Sequence, residues 1–348
     1  MPHWTLVRDS DLDIGIVDGP DEYQLFQVTG ARALRNGDVV VVNSGTAELK
    51  VYDSTGTFLR ALGGSGEGPG EFRVPWGIWE LSGDTLAVWD FRLRRVSLFA
   101  DGHFVKSSRL DRDVFNAFPL GVLADGHLLL TRHVITIPAM GFQMSEQVVF
   151  AFTLDGTFVD TLGKYPGQLM GRLGESRLVG GPLFGAQTRF AAGDSTYWVG
   201  TARSHELRRY DATGALSLVV RWIGELAPVP SEAVEQYNEQ QLAAESDENE
   251  RRRTRVIQQG RPPAEQLPLY DSLVVDQTSA LWVRRFGFPW TAEADWIVFG
   301  PDGIAVGRLT APRGFQLFDI GEDYILGLEK DELDVEHVRM YNLIKPGQ

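Results

Sequence analysis

Short apolar runs alternate along this chain with clusters of Gly, Asp, Asn and Thr. One clear unit opens at Leu34-Arg35-Asn36-Gly37-Asp38, passes through Val39-Val40-Val41-Val42, crosses a polar break and resumes at Leu49-Lys50-Val51-Tyr52. Asp53-Ser54-Thr55-Gly56 follows, then Thr57-Phe58-Leu59-Arg60. The runs are β-branched and aromatic and about four to eight residues long, which predicts strands. The G-D, D-G and D-x-x-G elements between them are turn chemistry. Gly supplies a positive φ, and Asp bonds back to the local backbone.

The unit returns at Gly83-Asp84-Thr85-Leu86-Ala87-Val88-Trp89, at Asp125-Gly126-His127-Leu128, at Gly193-Asp194-Ser195-Thr196-Tyr197-Trp198 and at Asp276-Gln277-Thr278-Ser279-Ala280-Leu281-Trp282. A degenerate copy begins at Gly321-Glu322-Asp323-Tyr324. Four short antiparallel strands per repeat of about 40–45 residues is the blade of a β-propeller. The expectation is an all-β, six-bladed β-propeller formed by residues 1–348 as one domain. The sixth unit stops before its last strand, and residues 4–8 offer a spare apolar strand to close it, which would hide the open sheet edge. Six units need only about 250 residues. The surplus falls in the third and fourth units, and the largest insertion spans 224–269 between blades four and five. There Ser231 as N-cap and a narrow stripe of Val234, Tyr237 and Leu242 predict a helix. Arg251-Arg252-Arg253 would lie near its end, on a solvated face, complementing its dipole.

Composition narrows the classes of function. Aromatics at 11% and hydrophobic residues at 43% argue for a packed core. The absence of Cys excludes disulfides, thiolate metal sites and Cys nucleophiles. With 33 Lys and Arg against 47 Asp and Glu, the formal net charge is −14, which argues against a general nucleic-acid binder. No apolar run reaches the roughly 18–20 residues of a membrane span. No basic n-region followed by an apolar stretch opens the chain. The expected location is extracytoplasmic (periplasmic, secreted or lipid-anchored) if a leader was removed, and cytoplasmic otherwise.

The most specific stretch is Leu62-Gly63-Gly64-Ser65-Gly66-Glu67-Gly68-Pro69-Gly70-Glu71-Phe72-Arg73-Val74-Pro75-Trp76-Gly77-Ile78. It resembles the glycine-rich link between blades of the NHL-repeat-like group of six-bladed propellers. It lacks the G-K-[ST] ending of a phosphate loop and leads into a strand, so it predicts a blade link. The resemblance extends over nearly the whole chain and is strongest over residues 34–104. It implies bacterial propeller proteins, commonly exported or lipid-anchored, most without an assigned activity. It also implies that the strand before each G-D turn lies innermost. These strands would be residues 28–34, 76–81, 118–123, 188–192, 270–275 and 315–320. The long loops, 63–75, 163–187 and 224–269 into inner strands and 90–94, 132–146 and 285–293 between second and third strands, would then open on one face.

Insertions confined to one face of a repeat scaffold mark its binding face. Arg94, Arg132, Arg203 and Arg284 would approach the mouth of that face, with His133 and His205 beside them. Arg at repeated positions would form an electropositive funnel able to concentrate an anionic ligand. Trp76 and Trp290, with Phe288, would supply aromatic walls. The competing reading is that each Arg pairs with a nearby carboxylate. The expected function is a non-enzymatic propeller that binds a protein, a peptide or an anionic small ligand without a cofactor. The alternative is a metal-dependent hydrolase, as some six-bladed propellers are, although the amino-terminal E-G-P-x-W signature of the propeller lactonases is absent and Glu67-Gly68-Pro69 lies in the blade link. It would hold Ca²⁺ or another divalent metal on the axis through Glu80, Asn116, Asp276 and Asp319. Neither G-x-S-x-G nor H-E-x-x-H occurs.

Overall fold

The computed structural model describes residues 1–7, 10–174 and 178–346. Six antiparallel sheets follow one another along the chain. Blade one consists of Val28–Ala33, Val39–Asn43, Glu48–Tyr52 and Phe58–Gly63, and blade two of Pro75–Glu80, Thr85–Asp90, Arg95–Ala100 and His103–Arg109. Blade three comprises Ala117–Val122, His127–Val134, Phe142–Thr153 and Phe158–Arg172, extended by Val179–Gly180. Blade four is Arg189–Ala192, Thr196–Gly200, Glu206–Asp211 and Leu216–Arg221, and blade five is Tyr270–Val275, Leu281–Arg285, Glu293–Phe299 and Ala305–Pro312. Gln316–Ile320, Tyr324–Lys330 and Glu336–Ile344 begin blade six. The first strand of each blade is the inner one, and those of blades six and one meet, closing the sheets into a β-propeller. The inner strands match the expected ones to within a residue at either end.

The core is divided among the blade interfaces. Val41 and Tyr52 of blade one pack with Leu326 and Val338 of blade six, while Val40 and Leu49 face Ile78 and Val88 of blade two. A blade's second strand is thus covered on both faces, so Val39–Asn43 is buried throughout and reads as a continuous apolar run without alternation. Trp89, Trp198 and Trp282 lie on the second strands of blades two, four and five and are almost fully buried. Burial of each such side chain contributes roughly 1.5–3 kcal/mol.

The tight-turn face is built by one device. Asp53 Oδ1 accepts from the backbone N–H of Thr55 and Thr57 at 2.9 Å each, and Gly56 takes φ 86°. Asp211 and Asp276 repeat the bond pattern on this face, and Asp331 repeats it on the opposite face, in the turn between the second and third strands of blade six. Ser279 and Asp334 hold the positive φ in the last two, so those turns lack the Gly that marks the others.

The amino-terminal segment closes blade six in two short pieces. Thr5–Leu6 pairs with Leu343 and Ile344, and Leu12–Ile14 pairs with the stretch from Val338 to Met340. Arg8 of the expected closing strand lies outside the described residues. The segment also reaches blade five, since Trp4 N donates to Arg308 O at 2.7 Å and Arg308 N to Pro2 O at 3.0 Å.

Two expectations are corrected. About half of the loops anticipated at 132–146 and 163–187, namely residues 132–134, 142–146, 163–172 and 179–180, continues blade three's ladder, with Gln147 opposite Tyr165 and Phe142 opposite Gly171. Gly163, Pro166, Gly167 and Gly171 look like breakers in sequence, but a bulge between Met144 and Glu146 absorbs the irregularity. The insertion holds two helices, α1 (Ser231–Ala244) and α2 (Glu248–Gly260). Ser231 is inside α1 and makes no capping bond; Asp247 caps α2 by accepting from Asn249 N at 3.0 Å. The Arg triplet sits in the first half of α2, away from the helix end that would favour it. Glu248 and Glu250 offset it, with Arg253–Glu250 at 2.6 Å and Arg255–Glu248 at 3.0 Å.

Candidate functional site

On the face where the inner strands begin, three chain segments enclose a cleft of about 800 Å³. They are the extended edge of blade three, the link into blade four and the neck of the helical insertion. The neck is tied down by backbone bonds: Leu183 N to Pro262 O at 2.8 Å, Ala264 N to Leu183 O at 2.9 Å and Leu267 N to Ala227 O at 2.8 Å. α2 docks backbone to backbone on blade three, where a Cβ on Gly260 would stand 2.4 Å from Gly174 N. The volume lies within the usual range for small-molecule sites.

Met170, Phe184, Leu226, Tyr270 and Phe286 give the cleft apolar wall, and Gln168, Arg189, Arg203, Arg261 and Asp271 give it polar wall. Arg203 donates to Gly167 O at 3.2 Å and Ala186 O at 2.9 Å, clamping the link into its own blade. The same clamp recurs elsewhere. Lys50 Nζ holds Asp21 O and Gln24 O in blade one, and Arg95 holds Glu67 O, Gly68 O and Glu71 O in blade two. The glycine-rich link therefore turns its carbonyls inward onto a buried guanidinium. Asp271 is shared by Arg284 at 2.5 Å and Arg313 at 3.1 Å. The Arg189 side chain has no hydrogen-bond or ion-pair partner among the described residues, and its Nε is shut off from solvent. Burial pulls the guanidinium pKa of both Arg189 and Arg203 below the usual value.

Phe184 is the hub of an aromatic cluster beside the cleft. Its ring meets Phe288 at 5.2 Å, Tyr237 of α1 at 5.5 Å, Phe286 at 6.2 Å and Trp290 at 6.4 Å. Its backbone is left-handed, with φ 57°. For a bulky residue this costs about 1–3 kcal/mol and persists only where the surroundings over-determine it.

The Arg, His and aromatic residues that the sequence placed at the mouth all lie on this face but do not gather into one funnel. Of them, only Arg203 lines the cleft. Trp290 joins it indirectly through Phe184. Trp76 belongs to a separate cluster with Phe91 and Phe118, at 6.2 and 5.7 Å. Arg94 is paired with Asp113, Arg284 with Asp271, and Arg132 lies over the Phe150 ring at 5.8 Å. His205 sits edge-on to Trp222 at 5.6 Å. His133 Nε2 is bonded to Ser145 Oγ, and burial pushes its pKa below the ordinary value. Sequence reasoning missed Arg189, Phe184 and Asp271. Arg189 lay inside an expected inner strand, and its position there at the cleft end was the available signal.

The four residues of the metal reading do not converge. Glu80 and Asp319 lie at or near the far ends of their inner strands and Asp276 just beyond one, whereas Asn116 precedes its strand at the opposite end. Six strand residues separate those ends by roughly 20 Å. Each carboxylate is also engaged: Glu80 with Arg35 at 3.4 Å, Asp276 with its own turn and Trp282 Nε1 at 2.8 Å, and Asp319 with Arg32 at 3.1 Å. Among the described residues no group of three His, Asp or Glu side chains is placed to share a cation.

No protein-family model matches the chain, and no curated protein is significantly similar to it in sequence. Solved structures do match. One is a Bacteroides fragilis protein whose name suggests export, with 14% identity and a TM-score of 0.53, covering 98% of this chain and 95% of its own. Another is a member of the DUF4221 family from Bacteroides vulgatus, with 11% identity, a TM-score of 0.54 and 99% of each chain covered. A calcium-binding regucalcin from Agrobacterium tumefaciens is 12% identical over 92% of each chain, with a TM-score of 0.43. At these identities the likeness is one of fold: a β-propeller. No helix among the described residues is long and apolar enough to cross a membrane.

Proposed function

We propose that this protein is a non-enzymatic binding propeller that captures a small organic ligand on its insertion-bearing face. The observation carrying this reading is the cleft of about 800 Å³ walled by blade three's extension, the link into blade four and the insertion neck. A rigid ring holds these segments in place, and the cleft combines apolar wall with a few polar groups, the usual make-up of a ligand site. The separation of Asn116 from Glu80, Asp276 and Asp319 favours binding over axial metal chemistry. The Leu62-to-Ile78 link supports placing the chain in the NHL-repeat-like group.

Gln187 is exposed and lines the cleft, so Gln187→Trp fills the space without touching the core. Native mass spectrometry after incubation with a mixed library of small organic molecules tests the proposal. The expected result is an adduct retained by the parent protein and lost in Gln187→Trp. No adduct, or the same adduct on both proteins, overturns it.

A further inference from the structure

We infer that the cleft selects an organic acid, with the ligand's carboxylate seated on Arg189 and its apolar body against Phe184 and Phe286; this rests on the reading of the cleft as a ligand site. Arg189 is the odd member of its neighbourhood. Arg203 holds Gly167 O and Ala186 O, Arg261 holds Gly181 O, and Arg284 and Arg313 share Asp271. The Arg189 guanidinium has neither a hydrogen bond nor an ion pair among the described residues, although its Nε is closed off from water. A buried donor without an acceptor is costly, and a half-buried cation without an anion more so. The protein's nearest carboxylate does not relieve it. Asp271 is close enough to act on Arg189 electrostatically, but two other arginines already share its oxygens. Arg189, Arg203 and Arg261 line the cleft against Glu265 and Asp271, and Asp271 is already held by Arg284 and Arg313 just outside it, so this wall carries an excess of positive charge within a chain of net charge −14. A guanidinium fork matches a carboxylate in a bidentate manner, and low local solvation strengthens the pair.

The apolar half of the recognition is built with equal care. Phe184 faces the cleft from a left-handed backbone and is held by four rings, so its side is positioned before any ligand arrives. Phe286 continues that wall. A ligand with a flat or chain-like apolar body and one carboxylate uses both features at once.

The test is calorimetric titration of the full chain with 2-naphthoate, 4-phenylbutyrate and decanoate, each beside its neutral amide. The acids should bind better than their amides. Arg189→Gln should weaken the acids about 10- to 100-fold, as the loss of a charge-assisted pair implies, and leave the amides within about threefold. Because Arg189→Gln removes an unpartnered charge, its melting temperature should equal or exceed the parent's; a lower one would mean that Arg189 holds the fold together, and would overturn the seat. If acids and amides bind equally to both proteins, the anion seat is overturned while the cleft stands as a ligand site. If none of the six compounds binds, and Gln187→Trp makes no difference to any of them, both readings are overturned.

Discussion

Trp4 stands edge-on against Trp282, with ring centroids 5.4 Å apart and planes at 64°. The pair joins the amino-terminal segment to blade five's second strand at the seam between blades five and six. Trp4 is 7% exposed and shares its cluster with Trp296, Ile320 and Leu343. Trp4→Ala should destabilise the protein by about 3–5 kcal/mol, read from the midpoint of urea unfolding. Gly307 gives an independent check. A Cβ there would lie 2.3 Å from the Trp4 ring, so Gly307→Ala should displace the indole and lower the same midpoint.

Gly260 sets how the insertion docks. Its substitution by Val must push α2 away from Leu173 and Gly174. Trypsin should then cut among Arg251, Arg252, Arg253 and Arg255 several-fold faster, while the main thermal transition of the ring moves little. Unchanged cleavage would mean that the close approach contributes nothing to docking.

Asp271 balances Arg284 and Arg313. Asp271→Asn leaves those guanidiniums without a counter-charge and should cost about 1–3 kcal/mol of stability. Raising the ionic strength should narrow the difference, because salt screens the remaining repulsion.

Burial raises the phenol pKa values of Tyr197 and Tyr270 to about 12, whereas an unfolded tyrosine ionises near 10. Between those values the native state holds more protons than the unfolded chain, so stability falls as pH rises. The contribution is whole below about pH 10 and is lost as pH approaches about 12. Tyr270→Phe should flatten this alkaline loss in denaturant titrations. At neutral pH it should cost about 1 kcal/mol, since Tyr270 Oη accepts from Ala202 N at 3.0 Å.

Much of the ring was legible because one local rule repeats. Asp53, Thr55 and Gly56 specify their turn within five residues, and Val39–Asn43 announces a strand covered on both faces. Residues 4–7 could be assigned to the seam because the sixth unit was one strand short. The candidate site was far less legible. It is assembled from segments with no shared periodicity, and its character depends on which groups are left over. Arg189 resembles Arg94 or Arg284 in sequence; only the pairing of Asp271 with Arg284 and Arg313 sets it apart. Phe184 sits among Gly and Pro in a stretch that reads as plain loop, and its left-handed backbone leaves no mark on the sequence. The ladder of blade three was hidden for the opposite reason, since Pro166 and Gly167 look like interruptions that a bulge in fact accommodates.

The pairing of Thr5 with Ile344 has a consequence for how the molecule is made. Blades one to five can each form soon after leaving the ribosome, because their strands are neighbours in sequence. The seam cannot form then, since its partner strand Glu336–Ile344 is still being synthesised. Until that strand emerges, blades one and five each lack the neighbour that will cover them, and the indole of Trp4 waits for the seam to complete its cluster. Closure therefore comes after blades one to five have emerged, and the interval before it is when a nascent chain is most open to mispairing.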